Sequence, residues 1–84
     1  MVISFEHCGN NKLLLTLDSG KKMMLDCESV LTDPDVSEVT KTLWRNMMAN
    51  GHFVSRLELD NGVLCWRGWC ELFPDEIEKY AVEV

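Results

Sequence analysis

The sequence is short of basic side chains. Eight Lys and Arg residues stand against 14 Asp and Glu residues, which gives a formal net charge of −6 at pH 7. Proteins that bind nucleic acids or anionic membranes gain affinity from Lys and Arg, so this balance argues against both kinds of partner. A negative charge instead favours and steers a partner that is itself basic, such as a nucleic-acid-binding protein.

Long apolar runs are also missing. The sequence has no stretch of about 18 apolar residues, the minimum for a helix that crosses a bilayer. The N-terminal segment MVISFEHCG has neither the basic region nor the extended apolar core of a signal peptide. We therefore expect a cytoplasmic protein.

No catalytic or metal-binding motif is present. The candidate ligands and nucleophiles are Cys8, Cys27, Cys65, Cys70, His7 and His52. No Cys-x-x-Cys pair gives the spacing of a zinc knuckle, and no Gly-rich phosphate loop occurs. Because neighbours on a strand point apart, His7 is not placed to activate the Cys8 thiol. The sequence favours a protein that is not an enzyme, with free thiols, no cofactor and no metal. A thiol or zinc protein is the alternative.

What the chain does contain is enough apolar material for a core. Hydrophobic residues make up 46% of its 84 residues, and a chain of this length buries roughly two-thirds of its surface on folding. We predict a single domain over residues 1–84.

Residues 2–27 show the alternation of three β-strands, VISFEHC, KLLLTL and KKMMLDC. Three-residue loops at 9–11 and 18–20 keep the apolar side chains on one face, because they place Leu15 opposite both Phe5 and Met23. The predicted core face consists of Ile3, Phe5, Leu13, Leu15, Leu17, Met23 and Leu25.

A helix is predicted over most of residues 34–49. Asp33 and Pro34 suit its start, and Asn50-Gly51 suits its end. Apolar side chains recur at steps of three or four, which predicts that Val39 and Leu43 face the sheet. The full stripe is Val36, Val39, Leu43 and Met47, with Trp44 at its edge.

Asn61-Gly62 predicts a two-residue hairpin turn between HFVSRLELD and VLCWRGWCELF. On the core face the register pairs Leu59 with Leu64, Leu57 with Trp66, and Phe53 with Cys70. On the other face it pairs Glu58 with Cys65, Arg56 with Arg67, and Val54 with Trp69.

The C-terminal segment PDEIEKYAVEV fits either a short helix that begins at Pro74 or an edge strand over residues 80–84. The whole order predicts an α+β fold. It would be a five-stranded, largely antiparallel sheet (βββ-α-ββ) with one central helix on one face and a short C-terminal helix or strand.

Two sets of side chains are candidates for contact with a protein partner. Trp69, Arg56 and Arg67 share the second face of the hairpin, and aromatic residues with Arg are typical of contact sites. The second set is acidic and lies near the C-terminus: Glu71, Asp75, Glu76, Glu78 and Glu83. The alternatives are that the C-terminal segment covers Trp69 and that the carboxylates form a solvated face.

A compact acidic chain with an α+β plan, no catalytic signature and an acidic tail from Glu71 to Glu83 is similar in kind to anti-CRISPR proteins, the small inhibitors that phages encode. The resemblance covers the whole chain but includes no shared motif, so no functional residue follows from it. It implies a stoichiometric inhibitor in the host cytoplasm. Such an inhibitor would dock through acidic surface on a basic nucleic-acid-binding site of a CRISPR effector complex. The alternative is a structural or homo-oligomeric small subunit, for example a homodimer, that pairs through the Trp69 face.

Overall fold

The computed structural model describes all residues from Met1 to Val84 and contains four helices and seven strands. The strands are β1 (Val2–His7), β2 (Lys12–Leu17), β3 (Lys22–Asp26), β4 (Leu57–Asp60), β5 (Val63–Trp66), β6 (Cys70–Leu72) and β7 (Ala81–Glu83). The helices are α1 (Ser29–Thr32), α2 (Glu38–Ala49), α3 (His52–Ser55) and α4 (Pro74–Tyr80). The predicted α+β class is confirmed.

The predicted single five-stranded sheet is wrong, because the strands form two separate antiparallel sheets. One has four strands in the order β1-β2-β3-β7, and the other has three in the order β4-β5-β6. The two hairpins at the N-terminus have the predicted register, with Leu15 opposite both Phe5 and Met23.

The predicted core face is wrong at one position, because β1 contains a β-bulge. The register shifts between Val2 and Ser4, so Val2, and not Ile3, lies opposite Leu17. A bulge adds one residue to a strand and therefore moves the following side chain to the other face. Val2 is 4% exposed and Ile3 is 54% exposed.

The three-stranded sheet keeps the predicted Asn61-Gly62 turn and then departs from the prediction. Leu57 lies opposite Trp66, as expected, but the chain reverses at Gly68, which has a φ of +83°. The N–H of Trp69 donates to the carbonyl of Trp66 at 2.9 Å and closes this turn. Residues 70–72 then return as a third strand, with Cys70 opposite Trp66.

The predicted pairs of Phe53 with Cys70 and Val54 with Trp69 are wrong for a second reason. Residues 52–55 form helix α3 instead of a strand. The helix buries Phe53, whose ring lies 5.5 Å from that of Trp66. The indole N–H of Trp66 donates to the carbonyl of Phe53 at 2.8 Å, so this turn of helix is bonded directly to the second sheet.

Helix α2 begins at Glu38, four residues later than predicted. Its N-cap is Ser37, whose hydroxyl accepts the N–H of Thr40 at 3.2 Å. Asp33 was the expected cap, but its carboxylate accepts the N–H of Asp35 at 2.9 Å in the connection before the helix.

The predicted buried side of α2 is right at Met47 and wrong at Val39 and Leu43. Val39 is 75% exposed and Leu43 is 41% exposed, whereas Trp44 and Met47 are buried. The Trp44 ring packs edge-on against Trp66 with centroids 4.9 Å apart. A buried tryptophan removes about 150–250 Å² from water, more than Val39 could bury, so the helix turns its Trp44 side inward.

The core lies between the two sheets and the inward sides of the helices. It consists of Val2, Leu13, Leu15, Leu25, Cys27, Val30, Trp44, Met47, Phe53, Leu64, Trp66, Leu72 and Ile77.

The C-terminal segment adopts both of the predicted conformations in succession. It forms helix α4 over residues 74–80 and then strand β7, which pairs with β3. No helix is long and apolar enough to cross a membrane.

Candidate protein-binding site

A concave surface lies on the outer face of the three-stranded sheet. Glu58, Cys65 and Glu71 stand side by side there, one from each strand. An open cleft of about 420 Å³ runs over this row and is bounded by the turn that carries Arg67 and Trp69. We refer to it below as the Trp69 cleft. It includes three of the residues expected to bind a partner: Arg67, Trp69 and Glu71.

Arg67 is committed to an ion pair inside the cleft. Its guanidinium donates to the carboxylate of Glu58. Its backbone N–H donates to the carbonyl of Arg56 at 3.1 Å, so the two arginines are neighbours as predicted. The carboxylate of Glu58 offsets their mutual repulsion. Arg56 itself is exposed, has no ion pair, and lines a smaller adjoining pocket outside the Trp69 cleft.

Trp69 forms one wall of the cleft and is half-buried. Its ring lies 5.4 Å from the ring of His52, at an angle of 37°. The Trp69 side chain therefore packs against the fold and exposes part of its surface to the cleft.

The Cys65 thiol in the middle of the row is held in its neutral form. Burial is the main cause that raises its pKa, and the carboxylates of Glu71 and Asp60 add to the effect. Its sulfur lies 3.8 Å from a carboxylate oxygen of Glu71. A protonated thiol is a poor nucleophile and a poor metal ligand, so this side chain lines the cleft as a small neutral group.

The other thiols show no catalytic arrangement. All four cysteines are free. Burial raises the pKa of Cys70 to about 12 and that of Cys27 still further. No three His, Cys, Asp or Glu side chains converge in a way that could hold a metal ion.

The acidic residues near the C-terminus are distributed over β6, α4 and β7, although Glu78 and Glu83 line the same pocket. Glu71 lies in the Trp69 cleft, Asp75, Glu76 and Glu78 are on α4, and Glu83 is on β7.

Two of these carboxylates are engaged within the chain. Glu76 accepts the N–H of Phe73 at 3.1 Å and so caps the start of α4. Glu83 lies 3.9 Å from the ammonium of Lys21. The exposed side chains of Glu71, Asp75 and Glu78 form no ion pair, which leaves their charges available to a partner.

A cluster that sequence reasoning missed attaches α4 to the rest of the fold. The carboxylate of Asp33, only 8% exposed, lies 2.7 Å from the ammonium of Lys79 and accepts the hydroxyl of Tyr80. The bond from Lys79, followed by that from Tyr80, holds the pKa of Asp33 far below its usual value. Burial and the bond to Asp33 raise the pKa of Tyr80. Together with the buried Ile77, this cluster holds α4 against the rest of the fold.

Comparison with protein-family models, curated proteins and solved structures found no significant match to this chain. The assignment of function therefore rests on the chemistry of these surfaces.

Proposed function

We propose that this protein is a non-enzymatic inhibitor that binds a basic protein partner through its free carboxylates. The observation that carries the proposal is that Glu71, Asp75 and Glu78 are exposed and have no ion pair within the chain. On the basis of the resemblance in kind to anti-CRISPR proteins, we propose a CRISPR effector complex as this partner. The inhibitor would cover a site where the effector otherwise binds nucleic acid.

The electrostatics of this surface suit such a partner. A site that binds nucleic acid carries Lys and Arg placed to neutralise phosphates, and free carboxylates complement the same side chains. Lys79, the basic side chain of α4, is already bound to Asp33 and lies 3.6 Å from Asp35. Its charge is therefore offset from within the fold and does not neutralise Asp75 or Glu78.

The neutral thiol of Cys65 is consistent with a binding role. The Trp69 cleft adds an aromatic anchor of the kind that often dominates the energy of protein interfaces. Glu71 and Trp69 therefore supply a carboxylate and an aromatic side chain within one cleft, and Asp75 and Glu78 supply separate charges on α4.

The proposal is tested by affinity capture of partners from a bacterial lysate that contains a CRISPR effector. The bait is the wild-type chain or a double variant, Asp75→Lys with Glu78→Lys. Glu76 is left unchanged because it caps α4. We expect the wild type to retain effector subunits and to block target cleavage, and the double variant to lose both properties.

The matched control is Glu6→Lys with Glu28→Lys. Both residues are exposed, form no ion pair and lie outside α4 and the Trp69 cleft, so the net charge changes equally. Equal retention of the partner by the two double variants would refute a role for α4.

A further inference from the structure

We propose that the Trp69 cleft receives an arginine side chain of the basic partner. Glu71 binds the guanidinium and Trp69 provides the surface on which it stacks. This inference rests on the proposed function and adds to it the chemical group that the cleft selects.

The cleft carries one unbalanced negative charge, which one added cation would neutralise. Its charged side chains are Glu58, Glu71 and Arg67. Glu58 and Arg67 form an ion pair, so the charge of Glu71 is left without a partner. Cys65 contributes no charge because its thiol stays protonated. An arriving guanidinium would replace water around Glu71 with a charge-assisted hydrogen bond.

The aromatic wall favours a planar cation. Cations bind over an indole face within about 6 Å of the ring centre, and a guanidinium also stacks on the ring through its own plane. Trp69 is supported by His52, so the partner does not have to order it on binding. Trp69 and Glu71 flank Cys70, the first residue of β6. An aromatic surface and a free carboxylate therefore lie in the same cleft.

The shape of the turn keeps the cleft open. Gly68 stands at its apex with a φ of +83°, and a Cβ at this position would meet no atom within 4 Å other than those of the adjoining residues. The apex of the turn is therefore not covered by another part of the fold. The cleft that the turn borders is open, so a side chain from a partner can reach it.

Nuclear magnetic resonance titration of the protein alone tests the inference. The probe is N-acetyl-arginine methylamide, which carries no charge other than the guanidinium. The analogous citrulline derivative has nearly the same shape without the charge, and the lysine derivative has the charge without the plane. Trp69→Leu identifies the indole N–H signal of Trp69 by its loss.

We expect the arginine probe to shift the Trp69 indole signal and the Gly68 and Glu71 amide signals in a saturable way. The citrulline probe should produce no such shift, and the lysine probe should bind at least about threefold more weakly. Glu71→Gln should weaken the arginine probe about tenfold, the loss of one charge-assisted bond. Glu28→Gln is the matched control, because Glu28 is an exposed carboxylate that forms no ion pair and does not line the cleft. It should leave the affinity unchanged.

Three outcomes would overturn the inference: no saturable shift at these signals, equal binding of the arginine and citrulline probes, or equal binding of the arginine and lysine probes. None of them bears on capture of the partner by Asp75 and Glu78, which is measured with a different assay and different variants. Conversely, a failed capture with a positive titration would remove the proposed partner and keep the arginine site.

Discussion

The orientation of α2 can be tested by removing one side chain from each of its sides. Met47 is fully buried and Leu43 is 41% exposed, and both lie in the same helix. Truncation of a buried methionine to alanine costs about 2–5 kcal/mol, because apolar burial is lost and a cavity remains. Truncation of the exposed Leu43 should change the free energy of unfolding by about 0.5 kcal/mol or less, since alanine is also a good helix former.

Urea denaturation followed by tryptophan fluorescence measures both variants. Trp44 and Trp66 are buried and in contact, so their emission reports the loss of the core. The denaturant slope should match the wild type in both variants, which makes the two free energies comparable. A loss above about 2 kcal/mol for Leu43→Ala, with a small loss for Met47→Ala, would show that α2 faces the core with its Val39–Leu43 side and would refute the reasoning.

Three further predictions follow from the fold. Asp33 has a lower pKa in the folded chain than its usual value of about 3.9, so its contribution to stability is complete above that pH and is lost as the pH falls below it. Thermal melts from pH 7 to pH 2 should show a smaller acid-induced drop in Tm for Asp33→Asn than for the wild type. Parallel curves would contradict this. In a thiol-labelling time course without denaturant, exposed Cys8 should react first and buried Cys27 only on unfolding; fast labelling of Cys27 would show that the core is open. Val2→Ser should cost several times more stability than Ile3→Ser, because the bulge buries Val2 and exposes Ile3; the reverse order in urea denaturation would show that β1 has no bulge.

The N-terminal hairpins could be predicted because local rules were sufficient. Alternation has a period of two, so only one loop length places Leu15 opposite both Phe5 and Met23. The bulge could not be read in the same way. Val2 and Ile3 are both apolar and β-branched, and the choice between them depends on the approach of residues far along the chain.

The buried side of α2 could not be predicted from local pattern because a contact that is distant in sequence determines it. The stripe that includes Val39 and Leu43 is a good local pattern, but Trp44 finds Trp66, which lies on a strand of the second sheet. The third strand of that sheet had a local signal that was missed. Gly68 lies between Trp66 and Trp69, and Arg67-Gly68-Trp69 is a three-residue loop like Asp18-Ser19-Gly20, with its glycine one position earlier.

The candidate site was predictable in its residue types and only in part in its arrangement. The hairpin register placed Glu58 beside Cys65, whereas Glu71 joins that row only because β6 turns back. The bond between Asp33 and Tyr80 spans 47 positions and no sequence pattern indicates it. The capping role of Glu76 follows from its place three residues after Phe73, which is the spacing of a capping box.

The central claim is that free carboxylates on α4 bring this chain to a basic partner, and the association rate tests it most directly. The measurement is the rate constant for binding to the captured partner at salt concentrations from about 50 to 500 mM, because surface charges are screened over this range. We expect the wild-type rate to fall steeply with salt. Asp75→Lys with Glu78→Lys should be slower at low salt and less sensitive to salt, while Glu6→Lys with Glu28→Lys should stay close to the wild type. Identical rates and salt slopes for the two double variants would contradict the account.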